Sequence, residues 1–276
     1  MAFTNYDAII AALTAGKQDH RSIFKGSQTA DAAGVPVFTW RGAGTPAAGA
    51  VPATGSGTVP TRDTTGAIYM ANGVTANTAY FLKYGVGGAT QGTSWLVDVC
   101  WFNSGLSGTV ITAQTINSLA LTRYTTGEDL LIALICWTAT GTTASNVTVS
   151  YTNQDGTAGR TTTSVAFWTG GYGGGALAPT ADQVQLLPLQ AGDRGARSIQ
   201  SLTLSASTLT AGNFGVMLLK RLAVVSYEAA RYNERDLVLQ TSNLPQKIDS
   251  ACLSTIHVPN GTSTGLWYGN IHVVWE

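Results

Sequence analysis

The sequence predicts an all-β protein: a β-sandwich or jelly-roll-like body preceded by a short N-terminal helix and an extended Gly/Ala/Pro-rich arm. Three observations carry this expectation. From residue 64 onward, short β-prone runs are separated by Gly, Asn and Asp. Several of these runs alternate apolar and polar residues with the two-residue period of a half-buried strand. Strand-length and helix-length segments do not alternate as a parallel α/β sheet would require.

Taken in order, Thr4 and Asp7 have the spacing of a capping box, and Tyr6, Ile9, Ile10 and Leu13 then share one helical face before Gly16. This predicts a helix over 4–15 whose narrow apolar face must dock on the chain's own body or on a neighbour. From 17 to 63 the pattern dissolves into Gly, Ala, Pro and Thr. Structureless loops beyond about 15 residues are rare inside compact domains, so this stretch reads as either a linker or an extended arm lying over a surface, the arm gaining weight in an assembly protein. Residues 1–63 are thus assigned to helix and arm, and 64–276 to the body, with a seam near 170–180.

Within the body, Asn146-Val-Thr-Val-Ser-Tyr151 and Thr161-Thr-Thr-Ser-Val-Ala-Phe167 flank a Gly/Asn/Asp turn and predict a hairpin. Further strands are expected at 67–70, 78–84, 94–102, 129–137, 198–206, 215–224 and 267–275. Residues 226–235 read as a second helix and 170–175 as a loop. No repeat recurs at the 20–50 residue spacing of solenoids or propellers.

Charged residues make up 11% of the chain, against about 25% in an average globular protein. Fifteen basic side chains balance fifteen acidic ones, so no global field draws the chain to nucleic acid or to an anionic membrane. A surface of Ser, Thr, Gly, Ala and Asn is easily desolvated, which favours a lasting assembly. Cys100, Cys136 and Cys252 are an odd number without Cys-x-x-Cys spacing, and the first two sit in apolar runs. They read as buried free thiols of a protein kept in a reducing cytosol. The first residues lack a signal-peptide pattern, and no run approaches the roughly 20 apolar residues of a membrane helix.

Motifs for chemistry are sparse. His20, His257 and His272 are dispersed, and His272 reads as a strand residue facing solvent or a partner. There is no nucleophile elbow and no phosphate-cradling glycine loop followed by Lys-Ser/Thr. Asp98, Glu128, Asp129, Glu234 and Asp236 are the acids that could furnish a glycosidase pair, but 128–129 read as a solvated turn. The basic residues from Arg160 to Arg235 are interspersed with acids and carry no aromatic interleaving. No catalytic residue, cofactor or metal ligand is therefore assigned. Seven tryptophans raise a second class of reading, since Trp and Tyr also stack on sugars. Trp40, Trp267, Tyr268 and Tyr172 are the candidates for a partner or a glycan, as in a carbohydrate-binding or receptor-binding module. The sequons at Asn146 and Asn260 read as chance matches in a Thr-rich chain.

The arm at 17–60, the hairpin around 151–162, and Leu187-Pro-Leu-Gln-Ala-Gly-Asp-Arg-Gly-Ala-Arg-Ser-Ile199 running into 202–206 and 211–216 resemble tailed-bacteriophage particle proteins of the decoration, minor capsid and neck type. That resemblance implies an all-β fold, no cofactor, a cyclic homo-oligomer such as a trimer, and binding to the major capsid protein or other virion proteins. It places the protein in a virion assembled in the host cytoplasm, first as capsid decoration or cement, second as a tail/neck connector or fibre-base protein. Partner contacts are then expected at Ile9, Ile10, Leu13, Trp40 and Arg41, with a body that folds without residues 1–45.

Overall fold

The computed structural model describes residues 3, 5–26, 32–71, 79–170, 175–176, 179–240, 246–262 and 265–276. Its main helix is α1 (Tyr6–Thr14). Among the described residues, eleven strands span four residues or more: β1 (Gln18–Gly26), β2 (Ala79–Gly88), β3 (Gly92–Phe102), β4 (Leu130–Thr138), β5 (Asn146–Asn153), β6 (Val184–Leu187), β7 (Ala196–Leu204), β8 (Asn213–Tyr227), β9 (Tyr232–Asp236), β10 (Leu253–Pro259) and β11 (Leu266–Trp275).

The run Leu130-Leu-Ile-Ala-Leu-Ile-Cys-Trp137 offers no polar side chain to either face, so it must lie where both faces are covered. It forms β4 of a central antiparallel sheet ordered β6-β4-β8-β3-β10, extended at the β10 edge by Val37–Phe38. A second sheet runs β9-β2-β11-β1 and ends on Gly44–Thr45, and a third is built on β5 and β7.

Alternation along β3 points Leu96, Asp98 and Cys100 to one side of the central sheet. Leu96 enters a core shared with Phe81, Tyr84, Ile271 and Val273 of the second sheet. Cys100 enters a core shared with Val147, Val149, Ile199 and Leu202 of the third. The two outer sheets therefore sit side by side on one face of the central sheet. On its other face Val97, Val99, Ile135 and Leu219 are covered by Phe38, Trp40 and Ala67.

Two bulges accommodate this double packing. Leu218 pairs with Trp101 and Leu219 with Val99, leaving Cys100 unopposed; Arg221 pairs with Val97 and Ala223 with Leu96, leaving Leu222 unopposed. At Cys100 the extra residue lets both Cys100 and Trp101 face the third sheet, because a bulge resets the side-chain alternation.

Asp98 falls between the two cores and is fully buried. The Arg123 guanidinium donates to both its oxygens at 2.9 and 3.0 Å, and the Cys252 N–H donates to it at 2.9 Å. Arg123 also donates to the carbonyls of Pro60 and Val99. Burial pushes the Asp98 carboxyl above the usual carboxylate range, and Arg123 pulls it back.

Several expectations are corrected. Residues 18–26 are not arm but β1, paired along its whole length with β11. The strand escapes notice because the buried position after Ile23 is Lys25, while Phe24 is exposed. The Lys25 ammonium donates to the carbonyls of Gly42 at 3.0 Å and Ala47 at 3.3 Å, tying residues 42–47 down. Beyond them the chain crosses its own body: Trp101 Nε1 donates to the Ser56 carbonyl and Ser104 Oγ to that of Pro52. A division at 63/64 therefore does not follow the sheets, and removing residues 1–45 takes a strand with it.

The N-cap of α1 is Asn5, whose side chain accepts from the Ala8 N–H; Thr4 lies outside the described residues. Residues 67–70 form no strand, only a bridge from Ile68 to Leu253. Residues 226–235 are not helical: β8 continues to Tyr227 and β9 pairs with β2, so sheet register overrides the helix preference of Glu, Ala and Arg. The expected hairpin forms, with Arg160–Thr161 and Val165–Ala166 pairing with β5. At 170–175, Thr169–Gly170 pairs with Gly175–Ala176, and 171–174 lie outside the described residues.

Arg123→Met leaves the Asp98 carboxylate buried without its partner and is expected to cost about 3–5 kcal/mol in urea unfolding. A loss below about 1 kcal/mol would show that the pair does not hold the two cores together.

Candidate interaction surface

The residues singled out in the sequence do not converge. Ile9 is 8% exposed and packs with Ala12, Leu82 and Val274; Leu13 is half-buried beside them, and Ile10 is 59% exposed. Trp40 is buried, stacked on Phe38, with Nε1 donating to the Ala50 carbonyl. Arg41 pairs with Asp182 at 2.7 Å. Trp267 is 1% exposed, stacked on His257 at 4.5 Å and donating from Nε1 to Tyr227. Tyr268 is half-buried against Tyr232. Tyr172 lies outside the described residues. Ile9, Trp40 and Trp267 are thus corrected from partner contacts to core residues, and Trp267 has no free face for a sugar.

The acids are equally occupied. Asp193 pairs with Arg160 at 2.9 Å, and that hydrogen bond holds its carboxyl down at about 2. Glu128 and Asp129 pair with Arg194 and Lys220 at the surface, and Glu234 pairs with Lys83. The three cysteines are buried free thiols, as expected, and burial pushes Cys136 up to about 12.

What sequence reading missed is where charge is absent. Residues 42–61, 99–122, 130–154, 161–181 and 198–219 contain no Asp, Glu, Lys or Arg. The fold gathers parts of these stretches at one end of the molecule, where β3, β4 and β7 finish and β5 and β8 begin. Three loops there are stitched together by backbone: Thr208 N–H donates to Gly108, Gly108 N–H to Ala211, and Gly141 N–H to Thr210. Their contact is close enough that a Cβ on Gly141 would lie 1.6 Å from the Thr208 carbonyl oxygen. Buried Thr208 locks them further by donating from Oγ1 to the Gly108 carbonyl.

On this end Leu209 is 77% exposed, Ile111 52% and Val110 38%. Leu209 also holds φ at +68°, a region that a bulky side chain rarely adopts. The opposite end of β5 and β7 is the charged one, carrying Asp155, Arg160, Asp193 and Arg194.

No protein-family profile and no curated protein matches this sequence. Among solved structures the chain is similar, at 10% identity, to chains of the infectious bursal disease virus Gt and Gx strains, with TM-scores of 0.17 and 0.18. It is similar at TM-score 0.17 to the VP2 subviral particle of that virus. In each case 94% of this chain and 81% of the other are covered. These are virus-particle proteins, but at such TM-scores the likeness carries no argument.

Two histidines dispersed in sequence do meet. His20 and His272 are cross-strand partners on β1 and β11, with rings stacked at 3.6 Å. His272 is 9% exposed, stacked under exposed His20 and bonded to Gln18 through Nε2, on the face of the sheet opposite core residues Ile271 and Val273. Burial lowers its pKa to about 4, with His20 and Lys83 adding to the effect and Glu234 and Asp19 opposing it. Burial lowers His257 to about 3. Among the described residues no group of three or more His, Cys, Asp or Glu side chains is placed to hold a metal.

Both imidazoles bind protons near pH 6.5 once unfolded, so the unfolded chain gains them first as pH falls. Their neutral burial is fully tolerated above that pH, and stability is lost toward pH 4. The urea midpoint is expected to fall steadily over this interval, less steeply in His272→Gln. A midpoint that stays flat from pH 6.5 to 4 would contradict the burial of both rings.

Proposed function

We propose that this protein is a non-enzymatic structural component of a virus particle, in its most specific form a bacteriophage capsid decoration or cement protein that associates with copies of itself and with the shell. The observation that carries this reading is the partition of charge. A chain with 11% charged residues pairs several of them internally, as at Asp98–Arg123, Asp182–Arg41 and Asp193–Arg160, and leaves the three adjoining loops 107–111, 139–141 and 207–211 without any.

Such loops can be covered by another protein without stripping water from ions, a cost of several kcal/mol per unpaired ion. The same surface chemistry serves a tail/neck connector, which differs only in position within the particle. A glycan-binding module loses its main support with the burial of Trp267.

Static light scattering of the full chain over a range of micromolar concentrations tests the self-association. A closed oligomer such as a trimer is expected. A monomer at every concentration would reject it.

A further inference from the structure

We infer that the uncharged end formed by residues 107–111, 139–141 and 207–211 is the surface through which copies of this chain meet around a shared rotation axis, with Leu209, Ile111 and Val110 at the contact. The inference rests on the self-association proposed above and assigns its location.

The choice of a second copy as occupant follows from electrostatics. When identical surfaces meet around an axis, a charge near that axis approaches its own symmetry mates, and like charges repel. An end with neither sign of charge meets itself without that penalty. The opposite end of β5 and β7, with Arg160, Asp193 and Arg194, would not.

The three loops are also prepared for contact. Their mutual hydrogen bonds and the close approach at Gly108 and Gly141 fix their shape before any partner arrives, so little ordering entropy remains to be lost. Leu209 points the same way. In the single chain its side chain is 77% exposed and its backbone is held at positive φ, where glycine would be relaxed. The isolated fold gains nothing from leucine there; burial against a neighbour does.

The test compares the full chain with Leu209→Gly, with Ile111→Ser/Leu209→Ser, and with Arg194→Ser at the charged end, by light scattering and far-UV circular dichroism. Leu209→Gly relieves strain and keeps the fold, so loss of association cannot be ascribed to unfolding. Both tip variants are expected to keep the native spectrum and to dissociate at concentrations about tenfold higher or more. Arg194→Ser should associate as the unaltered chain does. If the unaltered chain associates and the tip variants do so equally, this inference is overturned while self-association stands. If the unaltered chain is monomeric throughout, both are overturned. Co-sedimentation of a monomeric chain with neutral phosphatidylcholine vesicles, lost in the tip variants, would overturn the inference in favour of a lipid surface.

Discussion

Two hydrophobic cores share one face of a single sheet, and the buried Asp98–Arg123 pair stands where they meet. This is the constraint on which the rest of the molecule depends. A carboxylate placed between cores is tolerable because both its oxygens are bonded, by Arg123 and by the Cys252 N–H. Arg123 in turn reaches the Pro60 carbonyl, so the pair ties β3, the start of β10 and the segment ending at Pro60 into one unit. The bulges at Cys100 and Leu222 are the backbone's half of the same arrangement, resetting alternation so that one long strand pair can serve both outer sheets.

That architecture also distributes charge. Ionic side chains concentrate around the second sheet and at the turn end of the third, where they pair with one another. The opposite end of the third sheet is left to Thr, Ser, Gly, Ala and a few exposed aliphatics. A surface of this kind is well suited to permanent cover by protein, and its lack of charge suits contact between identical copies. Assembly is the function proposed on this distribution.

The all-β class and the strands β2, β3, β4, β5, β7, β8 and β11 were legible in the sequence, because their buried faces are apolar and their turns carry Gly, Asn and Asp. β1 was not, because Lys25 occupies a core-facing position and satisfies itself on backbone carbonyls that no local pattern reveals. β9 was hidden by residues that favour helix but lie in register with β2. Most of the singled-out residues are large and apolar or aromatic, properties that mark Ile9, Trp40 and Trp267 equally well as core. Leu209, Ile111 and Val110 gave no such signal singly; what could have found them is the run of charge-free segments, read as a three-dimensional surface rather than as composition.

The most direct test of the account is hydrogen exchange of the full chain measured across a wide range of protein concentration. Contact between copies at the uncharged end predicts that amides in 107–111, 139–141 and 207–211 become protected as concentration rises, while those in 155–160 and 190–195 do not change. Exchange at the three loops that is independent of concentration, or protection that rises at the charged end instead, would contradict it.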